Sequence, residues 1–77
     1  MSSASASFQV PRMSSGSCRA QIQNALTPLA GVRRATVDLR HRRVAVTYDP
    51  SAIGLVHLVE AIENAGYPVA AAAKRVA

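Results

Sequence analysis

The spacing of apolar residues changes period several times along the chain, and each change marks an element boundary. Phe8-Gln9-Val10 alternates apolar and polar, the two-residue period that starts a strand. Pro11 and the Ser/Gly cluster after it end that run. From Ser17 to Leu29, Cys18, Ile22, Ala25, Leu26 and Leu29 recur at three- and four-residue steps, which makes one helical stripe. Ser17 or Ser15 is placed to cap the free amides at its start, and Pro28 and Gly31 stop it. Ala35, Val37 and Leu39 then alternate with Thr36, Asp38 and Arg40, as Val44, Val46 and Tyr48 do with Ala45 and Thr47. Two such runs around Arg40-His41-Arg42 predict an antiparallel hairpin with one buried face. Asp49-Pro50-Ser51 turns into a second helix, whose inward stripe is Leu55, Leu58, Val59 and Ile62. Gly66 ends that helix, and Tyr67-Pro68-Val69-Ala70-Ala71 is the last, edge strand.

The order strand, helix, strand, strand, helix, strand predicts an α+β fold. It suits a ferredoxin-like βαββαβ two-layer sandwich, an antiparallel four-stranded sheet with two helices on one face. Right-handed crossovers then bring residues 11–18, 40–42 and 65–68 to one end of the molecule. Residues 8–73 form the single domain, 1–7 a flexible serine-rich lead and 74–77 a frayed tail.

Composition narrows the function. One cysteine in 77 residues cannot make an internal disulfide, so packing alone must hold the fold. There is no apolar run to cross a membrane, and the first ten residues lack the order of a secretion signal. The cytoplasm, where a free thiol stays reduced, is the expected compartment. A net charge of +5 comes almost wholly from arginine and fits acidic proteins or anionic small molecules. Nucleic acid is the weakest partner, because Phe8, Tyr48 and Tyr67 are the whole aromatic supply for stacking.

The segment Met13-Ser14-Ser15-Gly16-Ser17-Cys18 resembles the metal-binding loop of the heavy-metal-associated domain family, whose pattern is Met-x-Cys-x-x-Cys. Met13 and Cys18 fall on that pattern, and Ser15 stands where the first cysteine would be. The resemblance runs from about Phe8 to Val69 and includes Ala65-Gly66-Tyr67. It implies a small copper-handling protein of the metallochaperone type. Its implied partner is a copper-transporting ATPase or another acidic metal-handling protein.

Cys18 is the main metal candidate. A helix start and the nearby Arg12 and Arg19 favour an accessible thiolate, whereas the plainer alternative is a small helix-facing hydrophobe. Cu(I) is soft and is satisfied by two thiolates, so a second donor must come from glutathione, from a weaker side chain or from a second protomer. Zinc fits less well, since no carboxylate lies in the loop. Ser15 is a weak donor to a soft ion and better suited to capping. The resemblance implies that Met13 packs inward beneath the loop, with ligation through its thioether the alternative. His41 lies in the hairpin at the same end, either near the ion or simply solvated, and His57 belongs on the outer face of the second helix. Tyr67 resembles the tyrosine that shields the ion in bacterial copper chaperones; ordinary packing is the alternative.

Arg12, Arg19, Arg40, Arg42 and Arg43 would surround this end and attract an anionic thiol such as glutathione, or an acidic partner. Asp38, Asp49, Glu60 and Glu63 fall on strand, turn or helix surface, so no acid, base and nucleophile converge as an enzyme requires. Two readings remain. One is a Cu(I) protein with one thiolate of its own, capped by glutathione or bridged into a homodimer. The other is a metal-silent interaction domain that docks an acidic partner through its arginines.

Overall fold

Six elements follow one another in the computed structural model: β1 (Ala4–Gln9), α1 (Gly16–Leu26), β2 (Val32–Asp38), β3 (Arg43–Tyr48), α2 (Leu55–Asn64) and β4 (Ala71–Val76). The structure describes the backbone of residues 3–76 and the side chains of 3–74. The strands make one antiparallel sheet in the order β2-β3-β1-β4. This is the ferredoxin-like βαββαβ sandwich that the element order predicts.

One apolar layer lies between sheet and helices. Phe8, Val10, Val44, Val46 and Tyr48 from the sheet side meet Ile22 and Leu26 of α1 and Leu58 and Ile62 of α2, all essentially buried. Alternation places them: Val44, Val46 and Tyr48 turn inward while Arg43 and Ala45 stay exposed. At about 25 cal/mol per Å² of buried apolar surface, this layer is the main source of stability in a chain with no disulfide.

Four boundaries differ from expectation. β1 begins at Ala4, so residues 4–7 of the expected flexible lead are strand, with Ala4 and Ala6 buried. Their two-residue period matches Phe8, and strands on both sides supply hydrogen bonds. Met1 and Ser2 of that lead lie outside the described residues. β4 is displaced toward the C-terminus, taking Lys74 to Val76 from the expected tail; Ala77 lies outside the described residues. Pairing dictates this shift, because Gln9 aligns with Ala71 and Pro68 has no amide to donate. α1 ends at Leu26, where Thr27 Oγ1 donates to the Gln23 carbonyl at 2.7 Å, just ahead of Pro28. β2 starts at Val32 and carries an irregularity between Val32 and Arg34, while Leu39 falls in the turn.

Three loops close around the end of β1. The Val10 amide donates to the Arg42 carbonyl at 2.8 Å, and the Ala70 amide donates to the Gln9 carbonyl at 2.9 Å. Gln9 Nε2 donates to the His41 carbonyl at 3.0 Å. The loop before α1, the β2–β3 turn and the loop before β4 thus share one end of the sheet, as right-handed connections require.

Candidate metal centre

Cys18 is the third residue of α1, in the turn whose first amides have no partner within the helix. Its position four residues before Ile22 puts it on the buried stripe, at the rim of the core. It is 9% exposed, which corrects the expectation of an open thiol.

The thiol is nonetheless held toward its anion. Its pKa is pushed down from 9.0 to about 6, first by the Tyr67 hydroxyl, then by the backbone at Ser14, the Ser15 hydroxyl and the Ser15 backbone; burial opposes them. None of these causes is an arginine. The expectation that Arg12 and Arg19 activate the thiol is therefore corrected: both side chains are exposed to water, which screens them. Short-range hydrogen bonds stabilise the thiolate.

Ser15 occupies the N-cap position, yet its side chain makes no cap hydrogen bond. Its Oγ lies 3.0 Å from Ser17 Oγ and 3.5 Å from Cys18 Sγ. The expected cap is thus replaced by a contact with the sulfur. Met13 is fully buried, its thioether within the apolar core. A buried thioether there packs as a hydrophobe.

Tyr67 is half-buried beside Cys18, and their contact pushes its phenol pKa up while lowering that of the thiol. The same hydroxyl donates a hydrogen bond to Gln21 Oε1. Gln21 was not among the residues expected at the site. Its place three residues after Cys18, on the same side of α1, was the available signal.

His41 is exposed and turns Nδ1 to Asp38 Oδ2 at 2.8 Å. That bond, with the His41 amide on Asp38 Oδ1, holds the Asp38 carboxyl below its ordinary range. His57 is exposed on α2. Among the described residues, no three His, Cys, Asp or Glu side chains gather as a metal-holding group. Arg12, Arg19, Arg40 and Arg42 are exposed on the loops and helix start at the Cys18 end. Arg43 separates from them, because its strand position turns it onto the bare sheet face beside Ser5, Ser7 and Ala45. No helix among the described residues is long and apolar enough to cross a membrane.

The sequence matches the model of the heavy-metal-associated domain over residues 7–68. It is 38% identical over 62 residues to the copper chaperone CopZ of Staphylococcus aureus, covering 80% of this chain and 91% of that protein. Among solved structures, a CopZ metallochaperone superposes with a TM-score of 0.82 at 35% identity, covering 84% of this chain and 97% of that one. The N-terminal domain of a potential copper-translocating P-type ATPase from Bacillus subtilis, solved in its Cu(I)-loaded state, gives 0.81 at 29% identity, with coverages of 90% and 85%.

Proposed function

This chain belongs to the heavy-metal-associated domain family, and on that premise we propose that it binds and passes on Cu(I) through the single thiolate of Cys18. The observation that carries the reading is the set of donors around that sulfur. Tyr67, Ser14 and Ser15 bring its pKa to about 6, so near neutral pH it is already the anion that a soft metal takes. Metal loading then need not first expel a proton.

One thiolate leaves Cu(I) short of ligands, and nearby side chains are poor substitutes. Met13 is committed to the core, and Ser15 offers a neutral hydroxyl. We assign the second position to an exogenous thiol, with glutathione the favoured one because its carboxylates suit the exposed Arg12, Arg19, Arg40 and Arg42. A second protomer could supply the thiolate, but it would bring arginines against arginines, a repulsion that salt relieves. The recipient would be an acidic metal-handling protein such as the metal-binding domain of a copper-transporting ATPase, met in the cytoplasm. Tyr67 would then shield the cargo from water.

The second reading is a metal-silent domain that docks an acidic partner. Ser15 in the place of a ligand, hydrogen-bonded to the remaining sulfur, favours it. Anaerobic Cu(I) titration against a competing chelator, with and without glutathione, separates the two. Saturable one-to-one binding that glutathione strengthens supports the copper reading. No saturable binding in either condition supports the docking domain. A copper-loaded monomer with no added thiol would overturn the assignment of the second ligand.

A further inference from the structure

Tyr67 has one phenolic proton and two neighbours that could accept it. Its hydroxyl donates to Gln21 Oε1, and it stands beside Cys18, whose thiolate it favours. Gln21 sits on α1, while Tyr67 belongs to the loop between α2 and β4, so their bond ties that loop to the helix carrying the thiol. With Tyr67 half-buried over the site, Cys18 keeps only 9% of its surface.

We propose that Gln21 is a positioning residue: its side-chain carbonyl latches the Tyr67 hydroxyl and so holds the aromatic ring closed over Cys18. This rests on the site already assigned to Cys18, and adds a residue that controls access to it. The chemistry is that of a single hydrogen bond at a partly exposed position. Such a bond is weak enough to open, and broken it leaves the Tyr67 hydroxyl, among the described residues, with only the Cys18 sulfur beside it to hold the ring to α1. Val69 of the same loop is held separately, its amide on Glu63 Oε2 at 3.3 Å, so the loop stays seated when the ring moves.

The test compares two substitutions of nearly the same length. Gln21→Met keeps the bulk and removes the acceptor; Gln21→Glu keeps an acceptor oxygen. Each is made in the parent and in a Tyr67→Phe background. The readout is the rate of Cys18 alkylation by neutral iodoacetamide in the folded, metal-free protein, at one pH about two units above the thiol midpoint so that the thiolate fraction is nearly constant.

Gln21→Met is expected to react roughly three- to tenfold faster than the parent, the range that loss of one net hydrogen bond allows. Gln21→Glu is expected to stay within about twofold of the parent. In the Tyr67→Phe background, all three residues at position 21 should give the same rate, because the hydroxyl they compete for is gone. Equal rates for parent and Gln21→Met would overturn the proposal. So would equal acceleration by Met and Glu, or a Gln21→Met effect that persists without the Tyr67 hydroxyl. Circular dichroism confirms that each variant is folded. Because no copper is present, failure of the latch and failure of the copper reading appear in different experiments.

Discussion

Ser15→Cys would give the loop a second thiol at the position that the Met-x-Cys-x-x-Cys pattern reserves for one. Ser15 is exposed at the start of α1, and its side chain makes no cap hydrogen bond that the substitution could lose. What is lost is an exposed contact with Ser17 Oγ and a long, part-buried one with Cys18 Sγ, so stability should change by no more than about 1 kcal/mol. The Ser15 oxygen stands 3.5 Å from Cys18 Sγ. Two sulfurs on one ion, each about 2.3 Å from it, are roughly 3.8 to 4.6 Å apart depending on the angle. A side-chain rotation about χ1 of the new cysteine supplies the extra separation. A second thiolate tied to the same loop replaces one that must be recruited from solution, and tethering of this kind raises retention by about 10²- to 10⁴-fold. In an anaerobic competition with a chelator, the variant should bind one Cu(I) that much more tightly than the parent without added thiol. Glutathione should then make little difference. A variant that holds copper no better than the parent would refute the geometry assigned to the loop.

Four further outcomes follow from the structure. The alkylation midpoint of Cys18 should lie near pH 6 in the folded protein, against 9.0 for an unperturbed thiol. Because the folded pKa is depressed, the unfolded chain binds more protons between those values. Stability should therefore rise with pH through that window, be complete above it and be lost below about 6, and Cys18→Ser should flatten the dependence in denaturant melts. Gly31→Ala should cost more than Gly66→Ala in urea unfolding. Both glycines have positive φ (94° and 100°), a strain of about 1–2 kcal/mol for alanine, but only at Gly31 would the added Cβ meet another atom, Ala52 Cβ at 2.9 Å. Equal losses would show that the contact relaxes freely. Tyr48→Phe should raise the unfolding midpoint by about 1 kcal/mol in stability, since the buried Tyr48 hydroxyl finds no hydrogen-bond partner among the described residues. A destabilised variant would reveal a partner for that hydroxyl.

The sequence by itself determined the element order and most of the core. Period-two runs at Val44-Val46-Tyr48 and helical stripes through Ile22-Leu26 and Leu58-Ile62 commit those side chains to one face, whatever the partner. It also exposed the loop with Cys18 and Ser15, since a motif is local in the chain. Tertiary structure decided where the outer strands lie. Ala4 and Ala6 have small side chains and weak strand preference, and become strand because β3 and β4 flank them and satisfy their backbone. The alanine run at 71–73 has no period of its own, so its register was set by pairing with β1 rather than by its side chains. The electrostatics of the thiol were decided the same way. Arginines are conspicuous in the sequence, but charge in water acts weakly at a distance. The groups that move the Cys18 pKa are a tyrosine from a loop forty-nine residues away (67 minus 18), two serine neighbours and their backbone. Hydrogen bonds act only within about 3 Å, or about 3.5 Å to sulfur, and which groups come that close is fixed by the folded chain.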